Sequence, residues 1–368
     1  MKKIFLILNI GLVILGHVIV FFIWRHFFAI EGVLGQAIIA EMLLIALFIR
    51  VVASPLIYRN DNYFTRALYL SAFLWLGYMM NAVFVAILIL LASYILSLFD
   101  IVFLFSSQQL IFSILPLIMI PFQGHNAGHH RIKKVDIEIE NLPEEWEGKT
   151  ITHLTDIHLG PIYRQRFFTK IVRKTMKLKP DAICITGDLF DGMESDFSWL
   201  IDPYKELTAP RGVYYSFGNH DLSLGRDTVK DLLENSEVEI LDNETKLLNG
   251  LQIVGVTCLF DRKMDFKQTI LEQAHYDVNT PSVLLFHEPR YIKEAREVGI
   301  DLQLSGHTHR GQMFPGNILG HMLYKGYGYG VYRRKGYNLV VGAGTGTWGP
   351  PLRTFHRSEI VLITLKKK

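Results

Sequence analysis

The chain has 368 residues, half of them hydrophobic, and a formal charge of only +3, so it is too long for one ordinary domain and too evenly charged for a polyanion binder. The first 122 residues hold Lys2, Lys3, Arg25, Arg50, Arg59 and Arg66 against Glu31, Glu41, Asp61 and Asp100; 6 minus 4 leaves +2 there and +1 for the remainder. A remainder this balanced lacks the basic patch that displaces counterions from phosphate backbones, which excludes a nucleic-acid-binding role.

Residues 4 to 24 form an uncharged, mostly apolar run of 21 positions, enough to cross about 30 Å of hydrocarbon at about 1.5 Å per residue. Lys2 and Lys3 precede it as in a signal peptide, but no small-residue cleavage site follows before Trp24 and Arg25, so a membrane span is expected. Further apolar stretches from about 35 to 57, 67 to 97 and 101 to 122 bring the expected count to about four, with the third long enough to need tilt or an interfacial end. With four spans, Lys2, Lys3, Arg59, Arg66, Arg131, Lys133 and Lys134 share one side, which places the rest of the chain in the cytoplasm of a bacterial cell. Glu41 and Arg50 fall inside the second stretch; snorkelling to the interfaces explains them better than transport.

After residue 122 a linker containing GHNAGHHR and a first strand are expected to 149, then an α/β domain from 150 to 368. Its strand-like runs are KVDIEIE, TITHLTD, AICITGD, GVYYSFG, LQIVGV, PSVLLFH, DLQLSGH, NLVVGAG and EIVLITL, with helical patterns near 165 to 178, 226 to 235, 267 to 274 and 290 to 298. Cys184 and Cys258 sit in apolar runs without CxxC spacing and read as buried, reduced thiols. The histidines of the linker read as exposed or interfacial, and His153 as a core residue on the sheet face opposite Asp156.

Five strand runs end in Asp, Asn or His clusters: Asp156-Ile157-His158, Gly187-Asp188-Leu189-Phe190-Asp191, Gly218-Asn219-His220-Asp221, His287-Glu288-Pro289 and Gly306-His307-Thr308-His309. Carboxylates, imidazoles and an amide together suit borderline-hard divalent ions such as Mn²⁺, Fe²⁺ or Zn²⁺. They are too many for one ion. On extended backbone, residues i and i+2 point the same way, so Asp156 with His158 and His307 with His309 are each expected to project into one site. Two ions about 4 Å apart, bridged by a carboxylate and a water, acidify that water and clamp the attacking and leaving oxygens of a displacement at phosphorus.

In this order, DIH, GDLFD, GNHD, a later isolated His and GHTH resemble the calcineurin-like metallophosphoesterase superfamily, over roughly residues 150 to 310. GHTHRGQMFPG, GAGTGTWGPPLR and SEIVLITL extend the likeness to the bacterial branch in which such a domain follows a transmembrane region. The resemblance implies a four-layer αββα sandwich with a dinuclear centre at the strand ends. It implies Asp156, His158 and His309 on one metal, Asp188 bridging, and Asn219, His287 and His307 on the second. A bridging hydroxide would attack phosphorus, with His220 as acid or electrostatic stabiliser and Asp221 available to orient its ring.

Asp191 matches a recurrent position of the family that is not a ligand, and a structural role is expected for it. Arg310 replaces the second glycine of the GHTHGGQ found in many relatives and is a candidate for binding a substrate phosphate; Arg164 is a weaker one. Trp348, with Pro350 and Pro351, is a candidate rim. A scaffold on a silenced fold, or a regulator of the membrane helices, is the competing reading, but a silenced copy would be expected to lose His220 or some ligands. The expected substrate is a phosphorylated small molecule or lipid, with the membrane as partner.

Overall fold

The computed structural model describes residues 2–193, 197–257 and 265–368. The chain divides into two compact units, one formed by Met1–His125 with Gly349–Thr354 and the other by Asn126–Trp348 with Phe355–Lys368.

The first unit is built from α1 (Lys2–Phe27), α2 (Val33–Arg59), α3 (Tyr63–Ser97) and α4 (Phe105–Gly128). All four are long and apolar enough to cross a membrane, as the hydropathy pattern predicts. Asn62 caps α3: its side chain accepts from the Thr65 N–H while the Thr65 hydroxyl takes the Asn62 N–H, and a polar start is thereby fixed for a 35-residue helix. Polar pairs tie the bundle where its apolar surface cannot. The amides of Asn81 and Gln123 bond each other twice, at 3.0 and 2.8 Å, and Trp75 donates to His17 at 3.0 Å. The Arg50 guanidinium lies over the Phe73 ring, 4.7 Å from its centroid. Helix α4 runs six residues past the expected end of the membrane region, through Gly128, so most of the anticipated linker is helical. His130 is also buried rather than exposed, its Nε2 bonding the Thr345 carbonyl at 2.9 Å.

Among its described residues the second unit contains twelve strands: β1 (Arg131–Ile139), β2 (Thr150–Leu154), β3 (Ala182–Thr186), β4 (Val213–Ser216), β5 (Val238–Ile240), β6 (Glu244–Leu248), β7 (Leu251–Val256), β8 (Ser282–Phe286), β9 (Leu302–Ser305), β10 (Gly330–Arg334), β11 (Tyr337–Val341) and β12 (Glu359–Lys367). Its helices are α5 (Gln165–Lys177), α6 (Ile201–Glu206), α7 (Asn219–Leu224), α8 (Arg226–Leu233), α9 (Phe266–Gln268), α10 (Ile292–Glu297) and α11 (Gly316–Leu323). The strands form two six-stranded sheets, ordered β1-β12-β2-β3-β4-β5 and β10-β11-β9-β8-β7-β6. In each, the central strands β2-β3-β4 and β7-β8-β9 are parallel.

Alternation within β3 shows how the layers assemble. Ala182 and Cys184 face a core shared with Ile253, Val283, Leu285, Leu302 and Leu304 of the other sheet, whereas Ile183 and Ile185 join Phe168, Ile171 and Val172 of α5. Phe266 of α9 and Ala295 of α10 cover the outer face of the second sheet through Val254, Leu284 and Phe286. Helix, sheet, sheet and helix therefore stack as the expected αββα sandwich, with burial holding the Cys184 thiol well above its usual range. Cys258 lies outside the described residues.

Candidate metal centre and active site

Every candidate ligand stands just past a strand end. Strands β2, β3, β4, β8 and β9 stop at Leu154, Thr186, Ser216, Phe286 and Ser305, and Asp156, Asp188, Asn219, His287 and His307 follow within three residues. There the ladder no longer claims the backbone, and the chain can turn sharply over a rigid sheet. Five of the seven candidate ligands, Asp156, His158, Asp188, His307 and His309, adopt left-handed backbone with φ between 49° and 67°. Non-glycine residues reach that region at a cost of about 1–3 kcal/mol each, and such strain collects at functional sites. Neither expected pair thus lies on extended backbone; Asp156 and His158 still enter one donor set, whereas His307 and His309 enter different ones.

Among the described residues the turns bring predicted ligands into two donor sets, and a third group, His158 with Asp191 and His220, shares His158. Asp156, His158 and His309 form the first set, and Asp188, His287 and His307 the second, each with ligand atoms within 4.8 Å of one another. In the first, the Nε2 atoms of His158 and His309 are 3.0 Å apart, and His309 Nε2 is 3.4 Å from Asp156 Oδ1. In the second, His287 Nε2 is 3.1 Å from Asp188 Oδ2 and 3.1 Å from His307 Nδ1. Asp188 Oδ2 also lies 3.9 Å from His158 Nε2, so this carboxylate stands between the sets. Beside it, Asn219 Oδ1 is buried and meets no hydrogen-bond donor among the described residues. A buried amide oxygen left without a donor is costly, which fits a cation as its partner.

Electrostatics follow from so many donors without solvent. Burial raises Asp156, with the Asp188 charge adding to it. Burial pushes Asp188 the same way, but His287, His220 and His158 overcome it and hold its carboxyl well below the usual range. His287 is pushed up to about 10, because Asp188 and Asp156 outweigh the burial that opposes its charge. His307 is pushed down to about 4 by burial and by the neighbouring His287. Without a cation, the proton on His287 thus balances the ionised Asp188 carboxylate, as expected of a metal site.

The second layer corrects one expectation. Asp221 does not orient the His220 ring: its Oδ2 accepts from the backbone N–H groups of Asp188 at 2.6 Å and Gly218 at 2.9 Å, and its Oδ1 from Phe190 at 2.9 Å. It fastens the GDLFD loop to the GNHD loop. His220 Nδ1 is held instead by the Asp191 carbonyl at 2.9 Å, and its backbone N–H donates to Asp188 Oδ1 at 2.8 Å. The Asp191 carboxylate lies 3.2 Å from His158 Nδ1, an orienting position that sequence reasoning recognised only as structural. The His220 ring stands edge-on to His158, centroids 4.8 Å apart, and to the half-exposed indole of Trp348 at 6.0 Å.

Other singled-out residues fall as follows. His153 is buried with Nε2 2.7 Å from Thr186 Oγ1, and burial brings its pKa down to about 3. The Arg164 guanidinium lies 5.5 Å from the Trp199 ring centroid. The Arg310 guanidinium stacks on Tyr329 at 4.2 Å, and the Lys133 ammonium is 4.2 Å from the same ring. Tyr324, which carries no motif signal, packs edge-on against His307 with centroids 5.8 Å apart.

Residues 149–311 match the family described as calcineurin-like phosphoesterase. An uncharacterized metallophosphoesterase of Campylobacter jejuni is 36% identical over 241 residues, covering 64% of this chain and 63% of that protein. A transmembrane protein with metallophosphoesterase domain from Danio rerio is 32% identical over 252 residues, covering 64% and 57%. An uncharacterized metallophosphoesterase of Aquifex aeolicus is 31% identical over 243 residues, covering 65% of this chain and 92% of that protein. The match spans 63 to 64% of the length of the Campylobacter and Helicobacter relatives. With that likeness carried by the stretch whose strand ends bear both donor sets, the chain belongs to the calcineurin-like phosphoesterases.

Proposed function

We propose that the chain is a membrane-anchored phosphohydrolase that uses two divalent ions to cleave a phosphoester or pyrophosphate, its substrate a phosphorylated small molecule or a lipid phosphate within the bilayer. The observation that carries this is Asp188 standing between two buried His/Asp sets, 3.1 Å from His287 on one side and 3.9 Å from His158 on the other. Asp156, His158 and His309 would hold one ion, Asn219, His287 and His307 the second, and Asp188 both. Mixed oxygen and nitrogen donors favour Mn²⁺, Fe²⁺ or Zn²⁺. Such ions supply Lewis acidity at the phosphoryl oxygens and lower the pKa of the attacking water.

The chain's own residues do the rest. With Nδ1 committed to the Asp191 carbonyl, Nε2 is the His220 ring nitrogen left to pass a proton to the leaving oxygen. Asp191 keeps His158 from turning, and Arg310 offers a planar fork to a substrate phosphate. The distribution of Lys and Arg around α1–α4 favours a cytoplasmic catalytic domain on a bacterial cell membrane.

The test is hydrolysis of p-nitrophenyl phosphate and its bis ester by the full chain in detergent, stripped of metal and then given Mn²⁺. Activity should return with the metal and vanish in Asp188→Ala. In His220→Ala it should fall about a hundredfold or more while the metals stay bound. A folded chain that takes up two ions but cleaves neither ester nor a lipid pyrophosphate would instead be a binding module.

A further inference from the structure

Helix α11 is unlike the others of its unit: none of its side chains is buried. Ile318, Leu319, Met322 and Leu323 are 49, 56, 70 and 76% exposed. At about 100° per residue these four cover an arc of about 140°, while Gly316 and Gly320 lie outside it. Among the described residues of the second unit, the other exposed large apolar side chains are Leu247, Leu271, Val278, Trp348 and Phe355, so four of nine fall within six positions. An apolar cluster this dense calls for a partner.

Charge says which. From Leu302 through Ser358 the sequence contains no Asp or Glu, and the next carboxylate, Glu359, is buried and accepts from the Tyr329 hydroxyl beside Lys133. Arg310 and Lys133 flank the Tyr329 ring at 4.2 Å each, and Lys325 lies two residues past the end of the helix. A cavity of about 170 Å³ lined by Arg310, Asn317, His321 and Tyr329 opens at the base of α11. An apolar ridge beside a cationic hollow matches the cross-section of an anionic bilayer, acyl chains beside phosphates. That surface is always near, because only His129 and His130 separate α4 from β1.

We infer that α11 inserts its Ile318, Leu319, Met322 and Leu323 face into an anionic phospholipid bilayer, with the Arg310 hollow receiving headgroup phosphate. The ridge is mechanically tied to the catalytic loops. A Cβ on Gly311 would overlap the backbone of Gly316 and Asn317, the Thr308 hydroxyl bonds the Gly328 carbonyl at 2.6 Å, and Tyr324 abuts His307. Seating the helix therefore holds the GHTH turn against the lipid phosphates.

The test places an environment-sensitive fluorophore on Met322→Cys of the full chain, with Leu319→Cys as a second position should the first misfold and Leu247→Cys as the control. Proteoliposomes contain phosphatidylglycerol with brominated acyl chains. The α11 probes should shift blue and be quenched by bromines about 5–10 Å below the headgroup boundary. They should resist aqueous iodide and insert less in pure phosphatidylcholine or with Lys325→Glu, while the Leu247 probe stays open to iodide. An α11 probe open to iodide in anionic vesicles overturns the inference. So does a probe that resists iodide in vesicles yet is not quenched by the bromines, which would mean a protein partner or a second copy, and so does equal insertion at position 247. The readout needs no hydrolysis, so failure of the phosphohydrolase reading would leave it standing.

Discussion

Replacing Asp221 by Asn separates the two roles this residue could have, loop fastener or partner of His220. The carboxylate accepts three backbone N–H groups, from Asp188, Gly218 and Phe190, at full burial. An asparagine oxygen in the Oδ2 position keeps the first two bonds without their charge, a loss of about 1 kcal/mol each. Its NH₂ then faces the Phe190 N–H, and a buried donor without acceptor costs about 1–3 kcal/mol. Relief of a carboxylate buried beside Asp188 offsets part of this, leaving a net loss of about 2–4 kcal/mol. Because Asp188 and Asn219 ride on the two fastened loops, much of that loss should reach the metals, weakening Mn²⁺ binding by on the order of tens- to hundreds-fold. Titration calorimetry and thermal melting of the detergent-solubilised chain measure both effects. At saturating Mn²⁺ the pH–rate profile should keep its shape. A variant that binds Mn²⁺ and melts like the parent but loses its acidic or basic limb would refute the fastening argument and restore Asp221 as the partner of His220.

Metal affinity of the apoprotein should rise with pH. His287, held protonated up to about 10 by Asp188 and Asp156, must release its proton to become a ligand, and Mn²⁺ titrations from pH 6 to 9 with proton-release measurements check the sign. Gly218→Ala should abolish high-affinity metal binding, since a Cβ there would overlap the Asp188 carboxylate and main chain; retained affinity in a metal titration would count against the packing described. Asp301 is raised to about 6 by burial. A carboxyl whose folded pKa lies above its unfolded value contributes stability below about pH 4 that is lost as pH rises through 6. Asp301→Asn, which keeps an oxygen for the Ser282 N–H, should therefore melt higher than the parent above pH 6, by about 1–2 kcal/mol after allowance for solvent screening, and not below pH 4.

The hydropathy of the chain sufficed for four helices long and apolar enough to span a membrane and for nine of the twelve strands among the described residues, because apolar runs and period-2 alternation are local properties. The three strands it concealed are β5, β6 and β10, and all three are sheet edges. Glu239 and the ETKLL of β6 face solvent on at least one side, so no apolar signal marks them. Helix α11 was invisible for the opposite reason, since none of its side chains is buried and its glycines read as loop.

The identity of the site residues was equally local: Asp, Asn and His at five strand ends, in a fixed order, sit in the sequence itself. Their partnership was not. That His309 joins His158 across 151 positions, that Asp191 holds His158 and His220, and that Asp221 serves backbone donors depends on which left-handed turns the two sheets impose at their ends. Residue type sets which chemistry is available, and only the packing of one sheet on the other decides which atoms meet.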